Sequence, residues 1–207
     1  MESLFGPDGK VNRALGFVRN LMVLGLIALI CCIPVVTIGA SLTALNYVAL
    51  RIARGEEGYI VRDFFRSFRE SFRSATIIWM GMLALLVLFA MDFYIMNHSA
   101  AAYPDVMKIV LAVALAAVLL VMTYMFPMIS KFQYSIKGYI RNGVMMTILN
   151  LPRAIVMLAL YALPSVIGGY FFEIMPLTLI FGLSLPAWLS ARFLYGRYFQ
   201  GLEEKIR

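Results

Sequence analysis

The run from Arg51 to Arg73, RIARGEEGYIVRDFFRSFRESFR, is the one long charged passage in an otherwise mostly apolar chain. Its reading decides which side of a membrane is which. Set on a helix at about 100° per residue, residues 61–73 bring Val61, Phe64, Phe65, Phe68 and Phe72 together on one face. Arg62, Arg66, Arg69 and Arg73 form the adjoining stripe, followed by Asp63 and Glu70. An aromatic face beside a cationic face suits the headgroup boundary, where phenyl rings enter the acyl region and guanidinium groups meet lipid phosphate. We therefore expect a cytoplasmic amphipathic helix lying at the inner membrane surface. A soluble amphipathic helix would need a domain to cover, and the rest of the chain leaves none.

The 207 residues are 62% hydrophobic and 14% charged, with a mean hydropathy of +0.86, which places the chain among integral membrane proteins. A formal charge of +7 could suggest nucleic acid, but the cations lie between apolar runs, where the positive-inside rule puts them. Nucleic-acid binding is not expected. The two cysteines, Cys31 and Cys32, are adjacent inside an apolar run and make neither a disulfide framework nor a zinc spacing. Lys10, Arg13 and Arg19 precede the apolar run that begins at Leu21, yet no small-residue cleavage site follows, so we expect the amino terminus to be retained.

Four apolar runs, Ala75–Met96, Val106–Ile129, Leu151–Phe172 and Ile174–Leu194, each reach the roughly 20 residues needed to cross about 30 Å of hydrocarbon. Their connections alternate in charge. The stretch Ser130–Arg153 carries Lys131, Lys137, Arg141 and Arg153, and the tail adds Arg197, Lys205 and Arg207. Asn97–Asp105 and the turn at Glu173 carry no Lys or Arg. The charged segment, the Ser130–Arg153 connection and the carboxyl terminus are thereby expected in the cytoplasm.

The first apolar region, Leu21–Leu50, is basic at both flanks and would make one straight helix of about 45 Å at roughly 1.5 Å per residue. A break at Pro34, Thr37, Gly39 and Ser41, with Thr37 or Ser41 capping a returning helix, resolves both problems. The turn is then expected against other helices that satisfy its freed backbone groups. The expected fold is all-α and polytopic: four simple transmembrane helices plus an N-terminal helical hairpin, six membrane segments in all, with five as the alternative. In one integral membrane domain, residues 1–19 are a cytoplasmic leader, 20–50 the hairpin, 51–74 the amphipathic segment, 75–194 the four spans and 195–207 a cytoplasmic tail. On the hairpin model every basic residue except Lys108 is cytoplasmic. A single crossing would strand Lys10, Arg13 and Arg19 outside.

Small residues mark expected close approaches: Ala112, Ala116 and Ala117 in the second simple run, Ala40 and Ala44 in the return arm, with Gly168-Gly169 loosening the third run. Pro127, Pro164 and Pro186 are expected to kink their helices, and broken helices mark binding sites in some transporters. Tyr94, Tyr103 and Tyr170 at one side and Tyr134, Trp188 and Tyr195 at the other suit aromatic belts. Asn46 could hydrogen-bond across helices.

Groups for catalysis are few. His98 is the only histidine and falls in an expected outer loop; neither a HExxH helix nor a phosphate-binding loop of the Walker type is present. No catalytic residue, metal site or cofactor is expected. Asp92 is the intramembrane charge candidate for a substrate or proton role, although it lies about one turn from the end of its run, and Glu173 is a weaker one. Glu56 and Glu57, in the turn between Gly55 and Gly58, could serve a metal or a partner's arginine, but pairing with Arg54 or Arg62, or plain solvation, is the expectation. With Arg62, Phe64, Phe65, Arg66, Phe68, Arg69, Phe72 and Arg73 they are the candidates for binding a partner or lipid.

The run Ile33-Pro34-Val35-Val36-Thr37-Ile38-Gly39-Ala40-Ser41, then Thr43-Ala44-Leu45, Tyr47-Val48, Arg54-Gly55-Glu56-Glu57-Gly58 and Asp63-Phe64-Phe65 with Phe68 and Phe72, resembles the YesL-like family of bacterial membrane proteins (domain of unknown function 624). The likeness is strongest over roughly the first 80 residues. It implies a multi-pass protein of the bacterial cell membrane, typical of Gram-positive bacteria, whose genes often accompany ABC-type sugar importers and polysaccharide breakdown. It supplies no catalytic residues. The Glu-Ala-Ala motif of an importer permease is absent, so the expectation is an accessory subunit, not an enzyme, associated with ABC sugar-importer subunits. An independent small-solute transporter or channel is the alternative.

Overall fold

The computed structural model describes residues 10–56, 58–98, 104–132, 134–170 and 175–195. Their order is α1 (Lys10–Cys32), a 3-10 turn (Val35–Thr37), α2 (Ile38–Ala53), α3 (Ile60–His98), α4 (Asp105–Lys131), α5 (Ile136–Leu149), α6 (Leu151–Tyr170) and α7 (Met175–Leu189), which runs on in π-helical turns to Tyr195. Among the described residues there is no strand. Within those residues five segments are long and apolar enough to cross a membrane: Ala14–Cys32, Val35–Ala53, Ile60–His98, Asp105–Lys131 and Leu151–Tyr170. The described part of α7 has 15 α-helical residues. Expected features at residues 1–9, Glu57, 99–103 with Tyr103, 171–174 with Glu173, and 196–207 with Arg197, Lys205 and Arg207 lie outside the described residues.

The helix α1 ends where Pro34, lacking an N–H, cannot extend its ladder, and the chain turns through Ile33 N–H to Ile30 O and Thr37 N–H to Pro34 O bonds. The two arms then run back along each other, Leu24 and Ala28 packing with Ala44 and Leu45. The capping expectation is corrected here. Thr37 stands at the N-cap of α2, but its hydroxyl accepts no backbone N–H; it donates backwards to Cys31 O at 2.6 Å and Pro34 O at 2.8 Å. Ser41, a turn inside α2, donates across the hairpin to Ala28 O at 2.9 Å. Apolar surroundings favour this use, because carbonyls left over at a helix end need donors more than the hydroxyls need acceptors. Gly39 likewise serves an approach and not the break: a Cβ there would lie 2.5 Å from Trp79 Cβ and 2.6 Å from Ala75 O.

A second correction concerns residues 61–73. They do not form a separate helix lying flat on a surface but the first third of α3, which continues for 39 residues to His98, about 58 Å at roughly 1.5 Å per residue. Ser74-Ala75-Thr76-Ile77-Ile78 contains no Gly or Pro, so nothing interrupts the hydrogen-bond ladder. The return arm α2 packs antiparallel along this first part of α3, from Arg51 beside Asp63 to Val35 beside Trp79. Trp79 Nε1 donates to Val35 O at 2.7 Å, so α3 itself satisfies a carbonyl of the hairpin turn.

The basic connection after α4 also holds a helix that the charge pattern concealed. Ser135 caps α5, its hydroxyl accepting from Gly138 N–H at 3.3 Å. Tyr139, Gly143 and Thr147, at successive four-residue steps, face inward. Tyr139 O–H donates to Phe132 O at 2.6 Å and Gly143 lies against Met125, which fastens α5 to the end of α4. Only Asn150 separates α5 from α6, where Pro152 sits in the opening turn that tolerates it.

Small residues do set the closest approaches, though not all those expected. Ala40 and Ala44 are fully buried, whereas Ala112, Ala116 and Ala117 are exposed. Gly25 meets the Ile180 backbone so tightly that no Cβ would fit, and Gly182 faces Pro164. Pro127, Pro164 and Pro186 all lie inside continuous helices. The outer surface is lined with exposed Leu85, Val87, Leu88, Val106, Ile109, Val113, Ile155, Val156, Leu163 and Val166, more apolar surface than a protein in water keeps.

Candidate functional site

The charged turn closes on itself. Gly55 ends α2 with a φ of 72°, a conformation that a side chain would strain. That reversal brings Glu56 back onto Arg51, Nε to carboxylate 2.9 Å, and within 3.9 Å of Arg54. The same Arg51 pairs with Asp63 in the opening turn of α3. Gly58 makes the approach possible, since a Cβ there would come 2.5 Å from the Asp63 carboxylate and 3.1 Å from the Arg51 guanidinium. From α7, Arg192 donates to Ala53 O at 3.2 Å and satisfies a carbonyl at the end of α2. One arginine thus joins the end of α2 to the start of α3, and another holds α7 to the same place. Of the pairings left open for Glu56, that with Arg54 is present, that with Arg62 is not seen, and the main partner is Arg51.

The aromatic stripe of α3 is divided by its neighbours. Phe64 is fully buried among Leu24, Ala28, Ala44, Leu45, Val48 and Ala187, and Phe68 packs at the edge of that cluster. Phe65 and Phe72 are exposed, at 48% and 39%. Their rings remain in one row: Phe64 to Phe65 5.6 Å, Phe64 to Phe68 6.2 Å and Phe68 to Phe72 5.5 Å between centroids. Arg62, Arg66, Arg69 and Arg73 are all exposed, with Arg66 paired to Glu70 at 3.0 Å. The face open to a partner or to lipid is therefore Phe65, Phe72 and the four arginines.

Asp92 sits on the outer surface of α3 and points to no interior site. His98, at the end of the same helix, stacks on Tyr94 with ring centroids 4.2 Å apart and is exposed. Among the described residues no three His, Cys, Asp or Glu side chains come together as a metal site would need.

A second site lies inside the bundle. Tyr161 O–H donates to Asn46 Oδ1 at 3.5 Å, joining α6 to α2, while Asn46 Nδ2 donates to Leu42 O at 2.8 Å. The Tyr161 ring borders a cavity of about 420 Å³ between α1, α6 and α7, whose other walls include Leu29, Pro164, Ser165, Gly168, Thr178 and Gly182. Gly168 leaves the space that the Thr178 hydroxyl occupies, since a Cβ there would be 2.6 Å from it. Of the proline and glycine positions singled out in the sequence, Pro164, Gly168 and Gly169 line this cavity, while Pro127 and Pro186 do not. Tyr161 carried no sequence signal of its own.

No curated protein and no solved structure matches the chain. The family described as a protein of unknown function, DUF624, does match, over residues 18–93, a stretch that takes in most of α1, the hairpin turn, α2, the charged turn and nearly all of α3.

Proposed function

We propose that the protein is a non-enzymatic accessory subunit of the bacterial cell membrane that binds a membrane-complex partner through the exposed arginine and phenylalanine face of α3. The observation that carries this reading is the divided stripe: Phe64 and Phe68 seat the helix, while Phe65 and Phe72 stay exposed beside Arg62, Arg66, Arg69 and Arg73. Arginine and aromatic residues dominate the energetics of protein interfaces. The likeness of residues 18–93 to the DUF624 (YesL-like) family suggests subunits of an ABC-type carbohydrate importer as the partner. Affinity purification from native membranes in mild detergent, with identification of the accompanying proteins, tests it. Importer subunits should co-purify, and a Phe65→Ser, Arg69→Glu, Phe72→Ser variant should lose them at unchanged thermal stability. A parent protein that brings down no importer subunit refutes the proposal.

The topology proposed with it has six membrane segments, α7 and its π-helical end completing the sixth, and both termini in the cytoplasm. Its support is the gathering of the end of α2, the start of α3 and the end of α7 around Arg51 and Arg192, a basic end that the positive-inside rule assigns to the cytoplasm. Because α3 is continuous, its first third passes obliquely through the inner headgroup layer, its arginines at the phosphates.

The cavity beside Tyr161 favours a second reading, an independent small-solute transporter or channel, because its walls combine the hydroxyls of Tyr161, Ser165 and Thr178 with Pro164 and glycines. Solute flux through the purified protein alone in liposomes would support that reading over the first.

A further inference from the structure

Outside these two sites, α3, α4 and α5 enclose an open groove of about 520 Å³, within the roughly 300–1,000 Å³ of small-ligand pockets. Its lining side chains are all apolar: Gly81 and Leu85 of α3, Ala117 and Val121 of α4, Ile136 and Ile140 of α5 among them. Two cations adjoin this lining in sequence. Lys137 and Arg141 directly follow the lining residues Ile136 and Ile140, and both are exposed. Alongside them α5 exposes Val144, Met145, Ile148 and Leu149, so this short helix presents cations and aliphatic side chains on one surface. That is the composition of a helix lying at a membrane interface, with lysine and arginine ends directed to the headgroups. From α5 the groove continues along Gly81, Leu85 and Ala117 into the apolar halves of α3 and α4.

Exposed cations adjoining the lining and a trough of apolar side chains match one class of molecule. We propose that the groove holds an acyl chain of an anionic phospholipid whose phosphate is met by Lys137 and Arg141. Specificity for the anionic headgroup comes from these two cations, since the trough has no polar side chain to recognise one. Retention of the chain comes from the shape of the trough. Its width depends on Gly81, where an added Cβ would meet nothing within 4 Å.

The two parts can be separated by experiment. The protein, stripped of lipid in detergent, is titrated with dioleoyl phosphatidylglycerol or dioleoyl phosphatidylcholine and the bound lipid counted by native mass spectrometry. One phosphatidylglycerol should be retained about tenfold more strongly than phosphatidylcholine. Gly81→Leu fills open space and should leave the thermal midpoint unchanged or higher while reducing retention of both lipids. Lys137→Gln with Arg141→Gln should abolish the preference for phosphatidylglycerol and leave retention of phosphatidylcholine as it was. Ala117→Leu, on the opposite wall, repeats the blocking test if the Gly81 variant fails to fold. Equal retention of both lipids by the parent protein, or phosphatidylglycerol retention unmoved by the blocking and charge variants, overturns the proposal. A dimer that disappears on filling the groove while lipid retention persists would instead assign the groove to a second copy of the chain.

Discussion

Replacing Gly39 by alanine isolates the contact on which the hairpin is mounted. In a helix interior this change ordinarily stabilises, by up to about 1 kcal/mol, through backbone entropy. Here the new methyl would stand 2.5 Å from Trp79 Cβ and 2.6 Å from Ala75 O. Neither obstacle can rotate away, because both atoms are fixed by the α3 backbone, so α2 and α3 must separate. Overpacking of this kind costs about 1–3 kcal/mol, and the bond from Trp79 Nε1 to Val35 O, worth about 1 kcal/mol, is stretched with it. The balance is a loss of about 2 kcal/mol, or roughly 4–8 °C in the thermal midpoint for a chain of this size. Gly81→Ala is the matched control, the same chemistry in the same kind of helix with nothing within 4 Å of the added carbon. Thermal unfolding of both variants in detergent, followed by size exclusion, measures the difference. If Gly39→Ala is as stable as Gly81→Ala, the close packing of α2 on α3 is wrong.

Phe64→Ala should cost about 3–5 kcal/mol by opening a cavity between α1, α2, α3 and α7, whereas Phe65→Ala should stay within about 0.5 kcal/mol; thermal midpoints of the two variants decide this. Arg51 and Asp63 lie only partly exposed, at 26% and 17% for their side chains, so a double-mutant cycle with Arg51→Gln and Asp63→Asn should return a coupling of about 1–2 kcal/mol. A coupling near zero would mean that the pair does not fasten α2 to α3.

Much of this architecture is legible in the residues themselves. Pro34 between two apolar arms, basic flanks on both sides and Ala40 and Ala44 on the return arm are local signals, and each has a direct mechanical counterpart in the hairpin. Asn46, a polar side chain in an apolar run, does reach across to another helix. What periodicity cannot supply is the identity of the neighbour. It gave Phe64, Phe65, Phe68 and Phe72 a common face, but whether lipid or α2 covers that face depends on the docking of a segment some twenty residues upstream. The same limit applies to Ala112, Ala116 and Ala117, small enough for a helix contact yet exposed, and to Gly39, whose role is visible only once Trp79 stands beside it. The helix α5 was hidden for a different reason. Its Lys137 and Arg141 read as loop charge, although Ser135 as a cap and the Tyr139, Gly143 and Thr147 stripe were signals in plain view. Glu56 appeared as a solvated residue because its partner Arg51 is brought back only by the positive φ of Gly55.

The central claim, that the N-terminal hairpin returns the chain to the side it started from and leaves both ends in the cytoplasm, is open to one direct measurement. Single cysteines are introduced at Ser3, Glu204 and, as the outer control, Ser99, each in a Cys31→Ala, Cys32→Ala background, and intact cells are treated with a membrane-impermeant thiol reagent. Ser99→Cys should label at once, while Ser3→Cys and Glu204→Cys should label only after the membrane is permeabilised. Labelling of Ser3→Cys in intact cells, with Glu204→Cys still protected, would contradict the hairpin and leave five crossings in place of six.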